Sequence, residues 1–208
     1  MTASAGLRLS RTLIRCSAMK KVIFKDWLVL YSLTDDKTRK EVMEAIGFLP
    51  RCDEVCGCKV PEDFNLITYG QLDDLHDNPD GVSAITNSCK VILGVDDETV
   101  LNERAEKVLW FVHFCNEEVK RINNIFKSIR PNFTSDEKLA GIEKLSFGSF
   151  GVLDWYARRM QITDQDEVRN VPWVRIYKCM KMDNEKRLFE RRYGEIIRSR
   201  AKNRRKGG

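Results

Sequence analysis

The residues of this chain best equipped for chemistry lie in one short stretch. Cys52, Cys56 and Cys58 sit in CDEVCGC, with His76 and Cys89 following downstream. Thiolate and imidazole are the usual ligands of zinc, and the three cysteines with His76 or Cys89 could form a four-ligand site. The spacing is C-x3-C-x-C, which matches none of the short zinc signatures, and no second paired-cysteine knuckle follows. The expectation is a loop carrying free thiols, with Cys52, Cys56, Cys58, His76 and Cys89 as the metal candidates if that expectation fails.

Other constellations are weaker. His113 and Cys115 are two positions apart, and on a helix such residues face away from each other. Asp73-Asp74 and Asp96-Asp97 could serve acid–base work or hold Mg²⁺. Both pairs lie near expected helix N-termini, where carboxylates favour the positive end of the dipole. No Gly-rich phosphate loop of Walker or Rossmann type occurs. With only two histidines, no nucleophile–base arrangement can be argued. The expectation is a protein without catalysis and without a cofactor.

Elements that could position these residues are mostly helical. VIFKDWLVLY (22–31) reads as a strand or a buried helical turn, and periodicity cannot separate the two. Thr34 followed by Asp35 and Asp36 suggests a helix start, running to about Ala45 and stopping at Gly47. Thr68-Tyr-Gly-Gln71 and Thr134-Ser-Asp-Glu137 fit capping boxes. Asn78-Pro-Asp-Gly81 is a turn signal, and Ser83–Leu93 should be helical.

From Asp96 to Arg130 there is neither Pro nor Gly. Leu101, Ala105, Val108, Val112, Cys115, Val119, Ile122, Phe126 and Ile129 follow at alternating steps of four and three. This predicts one long helix, terminated by Pro131. Trp110, Phe111 and Phe114 widen its apolar face, as in a bundle. Phe147-Gly148 and Phe150-Gly151 suggest a hinge where helices approach closely, and Leu153–Met160 a helix presenting Trp155 and Tyr156. Thr163-Asp-Gln-Asp166 marks a short helical turn. Pro172 fits the start of a last helix, with Ile176, Met180 and Leu188 on one face.

Charge is unevenly spread. The chain carries +5 in total, its first 21 residues +5 and its last 28 +7, leaving −7 for residues 22–180. An acidic body with basic ends differs from a nucleic-acid domain, whose positive charge lies on the folded face. The run Arg198, Arg200, Lys202, Arg204, Arg205, Lys206 could still contact phosphates, solubilise a frayed tail or meet an acidic protein.

The organisation expected is mainly α: a helical bundle over 96–198 and a small N-terminal subdomain over 19–95 that is helical or mixed. Residues 199–208 form a basic disordered tail, and 1–18 an extension. That extension is an upstream addition before a true start at Met19, a disordered segment, or an Arg- and Ser-rich transit peptide. No apolar run reaches the roughly 20 residues of a membrane span, so a soluble protein in a reducing cytoplasm is expected.

Four phrases together resemble a known group: ITYGQL (67–72), FVHF (111–114), FGVLDWYA (150–157) and MDNEK (182–186). They are similar to small morphogenesis proteins of tailed bacteriophages of gut bacteria, in particular the tail-assembly-chaperone-like group, over residues 60–200. The resemblance implies a mainly helical, non-enzymatic factor in the bacterial host cytoplasm that coats the helical tape measure and recruits tail-tube subunits. Trp110, Phe111, Phe114, Trp155 and Tyr156 are then the expected protein-binding residues. The rival expectations are a nucleic-acid-binding accessory protein using the basic run and a structural head–tail component of the virion. Formation of a homo-oligomer is compatible with each.

Overall fold

In the computed structural model the described residues are 22–76, 82–129 and 133–206, with the side chains of 82–84, 205 and 206 excepted. The 1–18 extension, Met19, the Asn78–Gly81 turn and Pro131 lie outside them.

The fold is mainly α. Helices α1 (Phe24–Ser32) and α2 (Asp36–Ile46) precede a two-stranded hairpin, β1 (Glu54–Val55) and β2 (Cys58–Lys59). Then follow α3 (Tyr69–Asp74), α4 (Val82–Leu93), α5 (Asp97–Asn102), α6 (Ala105–Lys127), α7 (Ser135–Leu139), a 3₁₀ turn (Ile142–Lys144), α8 (Gly148–Met160), α9 (Asp166–Arg169) and α10 (Trp173–Lys206). No helix among the described residues is long and apolar enough to cross a membrane.

The chain divides into two compact units. One comprises the residues up to Phe64 with Gln71–Arg121; the other comprises Asn65–Gly70 with Ile122 onward. The division expected between 95 and 96 therefore moves. Residues 96–121 belong to the first unit because they bury their apolar face there. Phe64 meets Phe114 edge-on at 5.3 Å, and Val100, Val108, Phe111 and Cys115 are all but fully buried.

In the first unit, the ambiguous run 22–31 is helical from Phe24 on, with Phe24 and Trp27 buried, while Ile23 is extended in a bridge to Arg104. Thr34 does not begin α2. Its hydroxyl donates to the Tyr31 carbonyl at 2.7 Å, and Asp35 is the cap, accepting from the Thr38 amide at 2.7 Å. The long helix predicted from Asp96 is broken at Glu103, whose backbone is extended (φ −77°, ψ 166°). Tertiary pairing causes the break. The Phe24 amide donates to the Glu103 carbonyl at 2.8 Å and the Ala105 amide to the Val22 carbonyl at 2.9 Å, a short antiparallel bridge that helical geometry cannot provide. The four-residue step from Leu101 to Ala105 preserves the apolar phase across this gap, which is why the seam reads as continuous. The Glu103 carboxylate also accepts from the Cys56 amide at 2.8 Å. It thereby holds a hairpin whose two turn residues, Cys56 and Gly57, both have positive φ (55° and 73°). That is the primed geometry that matches strand twist.

In the second unit, the Thr134–Glu137 capping box forms as read. Its helix ends at Leu139 instead of near Leu145, because Gly141 turns left-handed (φ 84°) into the 3₁₀ turn. Gly148 (φ 55°) starts α8, and Gly151 lies within its first turn. A Cβ on Gly151 would stand 2.7 Å from Phe147 Cβ, so this doublet seats Phe147 on its own helix and is not a hinge between helices. The basic end is not frayed. Helix α10 continues to Lys206, through good helix formers with no Pro and only Gly194 in its interior, and its cations favour the negative end of the dipole.

Candidate protein-docking site

Helices α8 and α10 of the second unit border an open hollow of about 380 Å³. Val152 and Trp155 line it from α8; Met180, Asp183 and Arg187 line it from α10. Helix α8 presents this face because Leu153, Tyr156 and Ala157, on another side of the same helix, are buried. Helix α10 is anchored at its start. Trp173 and Ile176 are buried, and Phe126 packs on Trp173 and Tyr177 with ring centroids 5.8 Å apart in both cases. The Thr68–Pro172 bridge and the Tyr69 amide donating to the Val171 carbonyl at 2.8 Å fix the chain just before it.

The rim is polar. Arg159 grips Asp183 with two parallel bonds, Nε to Oδ2 at 3.0 Å and Nη2 to Oδ1 at 3.1 Å. Outside the lining, Asp154 of α8 accepts from Gln165 at 2.9 Å and pairs with Arg158 at 2.9 Å. The hollow is thus apolar at its base, with the Arg159–Asp183 pair at its edge. Next to it in sequence lie large apolar residues turned to solvent: Leu139, Leu145, Phe147 and Phe150, from 61% to 93% exposed.

The candidate zinc ligands do not assemble. Among the described residues no group of three or more His, Cys, Asp or Glu side chains could hold a metal ion. Cys52 and Cys58 donate to the Pro50 and Leu93 carbonyls, and His76 Nδ1 lies 2.7 Å from the Leu72 carbonyl oxygen. Burial, with Glu103 adding to it, pushes the Cys56 thiol up to about 11. Burial likewise pushes Cys89 up to about 12 and raises Cys115 further. At neutral pH these are protonated thiols, poor as nucleophiles or ligands.

The expected protein-binding aromatics divide. Phe111 is fully buried, and Trp110 and Tyr156 are 8% and 1% exposed. They are core, because the wide apolar face of α6 is consumed inside its own unit and α8 turns Tyr156 inward. Phe114 is half-buried between Phe64, Trp110 and Phe111. Of the five, Trp155 lines the hollow. Arg198, Arg200, Lys202 and Arg204 are exposed on α10; the side chains of Arg205 and Lys206 lie outside the described set.

Sequence reasoning missed the exposed apolar segment 139–150 and a row on α10. Met182, Phe189, Tyr193, Ile196 and Ile197 are each 45–61% exposed. Helical spacing was the available signal. It was masked because α10 is apolar on one side near its start and on another side further along, so no single stripe runs its length. Comparison with protein-family models, with curated proteins and with solved structures finds no match to this chain.

Proposed function

We propose that this chain is a non-enzymatic assembly factor of the tailed-phage type, which holds a helical tail protein, the tape measure or a tail-tube subunit, on its second unit. The observation that carries the reading is the coincidence of the α8–α10 hollow with the exposed apolar residues of 139–150. A helix laid into such a groove anchors through side chains one turn apart. The resemblance of the four sequence phrases supplies the partner class. The test is capture of partners by the tagged chain in its host during phage production, with mass spectrometry, and the same capture with Phe147→Ser/Phe150→Ser. A long helical protein recovered by the parent and lost by the variant supports the reading. Recovery unchanged by the variant removes this site, and recovery of no tail protein removes the function.

A second reading is favoured by one observation. The basic run lies on an ordered helix, with Arg198, Arg200, Lys202 and Arg204 exposed. A nucleic-acid contact there would weaken steeply with salt and vanish on deleting 198–208. Absence of binding at low salt would eliminate it. A head–tail structural role predicts the chain in finished virions, from which an assembly factor is missing.

A further inference from the structure

The side of α10 turned away from the hollow carries a second, separate surface. At 100° per residue, the row Met182, Phe189, Tyr193, Ile196 and Ile197 is rotated about 140° from the hollow-lining Met180, Asp183 and Arg187. The row spans about 22 Å, roughly four helical turns. Phe189 and Tyr193 stack on one another with centroids 6.1 Å apart and planes 14° from parallel, which makes one continuous aromatic plate. All five residues stand half exposed, on a helix of 34 residues. Isolated exposed apolar residues are ordinary; a contiguous row at helical spacing marks a contact surface.

The charges around the row identify what covers it. At its start, Glu185 and Glu190 are answered on the same helix by Lys181 and Lys186, at 3.9 and 3.8 Å. At its end, no acidic residue follows Glu195. Arg200, Lys202 and Arg204 have no acid within four positions, and Arg200 and Arg204 are a like-charge pair one turn apart, which opposes the helix. Arg200 and Arg204 continue the apolar row, while Arg198 and Lys202 lie on the opposite side of the helix. The uncompensated charge is therefore positive and sits directly beyond the apolar plate.

We propose that this face of α10, from Met182 to Arg204, docks an acidic amphipathic helix of a partner protein. Its apolar seam would cover Phe189, Tyr193 and Ile196, and its carboxylates would meet Arg200 and Arg204. Nucleic acid would use the cations and leave the apolar row bare. An anionic membrane would have to accept Glu185 and Glu190 at the edges of the buried plate. A second copy docking through this same face would bring the same cations against Arg200 and Arg204, like charge against like. The inference stands on this face alone and does not depend on what the hollow holds.

The test uses the full chain and a labelled acidic peptide of about 20 residues, with Leu at heptad a and d positions and Glu flanking them, long enough to cover the row. A peptide of identical composition with the Leu positions scrambled is the control. Fluorescence anisotropy should show the patterned peptide binding at least tenfold more tightly than the scrambled one. Phe189→Asp/Ile196→Asp should reduce that binding tenfold or more. Arg200→Glu/Arg204→Glu should do likewise and flatten its salt dependence. Circular dichroism should show each variant as helical as the parent, since every substituted residue is exposed. Trp155→Ala, in the hollow, should leave peptide binding unchanged, which separates this proposal from the function proposed above. Equal binding of the two peptides overturns it. So does sedimentation showing a dimer that Phe189→Asp dissociates, or uptake by phosphatidylserine vesicles in preference to the peptide.

Discussion

The two units use apolar residues in opposite ways. In the first, Phe24, Trp27, Val55, Phe64, Val108 and Phe111 are 2% exposed or less, and polar contacts pin the chain around them. Glu118 accepts from the Phe64 amide at 2.8 Å and holds Arg121 with two bonds, while Asp97 binds Lys90 at 2.6 Å. In the second, the buried set is shorter, centred on Ile122, Leu153, Tyr156, Val168, Trp173 and Ile176, and most of the large exposed apolar side chains belong to this unit. Burial stabilises by about 25 cal/mol per Å² removed from water, so apolar area left in water is stabilisation forgone. The difference teaches that the first unit covers most of its large apolar side chains, whereas the second leaves more of its own in water.

The sharpest way to break this comparison is truncation of one phenylalanine in each unit. Phe111→Ala should cost about 3–5 kcal/mol, the usual range for a filled aromatic site. Phe147→Ala should change stability by less than about 0.5 kcal/mol. Urea titration of both variants decides; comparable losses would mean that Phe147 is structural and the contrast false.

Next in size is Glu118. Burial pushes its carboxyl up, but the Arg121 guanidinium and the Phe64 amide outweigh that and hold it below its ordinary value. Its contribution is therefore complete above the unfolded value, about 4.3, and is lost as pH falls through the lower folded value. Glu118→Gln should destabilise by about 1–3 kcal/mol at neutral pH, the cost of weakening a half-buried charged acceptor. It should also have a shallower loss of stability between neutral and acid pH, read from urea midpoints across that range. Parallel pH profiles for variant and parent would rule out this carboxylate as a determinant.

A smaller effect is expected in the hollow. Trp155→Ala should weaken capture of the helical partner about tenfold, or 1.4 kcal/mol. Stability should fall by less than the Phe111 truncation costs. A loss as large as that of Phe111→Ala would make Trp155 a core residue. Smallest is Thr134→Ala, which removes the α7 cap and should cost about 1 kcal/mol or less. Amide exchange should speed up over Ser135–Leu139 and not in the first unit.

Much of the helical content was legible in the residues. The Thr134–Glu137 box, the start of α10 at Trp173 and the end of α4 before Gly94 follow from local rules that do not need the rest of the chain. The chain break at Glu103 was not legible, because its cause is a backbone bridge to Val22–Phe24, some eighty residues away. Which apolar side chains face solvent was not legible for a related reason. Trp110, Phe111 and Tyr156 are as apolar as Phe147 and Phe150, and nothing in their local spacing tells which are covered.

By itself, then, the sequence determined that the chain is mainly α, that its two ends are basic, and where several helices are capped. These depend on side chains within a turn or two of each other. Tertiary structure alone decided that residues 96–121 complete the first core, that burial raises the Cys56, Cys89 and Cys115 thiols, and that the apolar rows of 139–150 and α10 face water. Periodicity records which side of a helix is apolar. Only the packing of distant segments determines whether that side is covered.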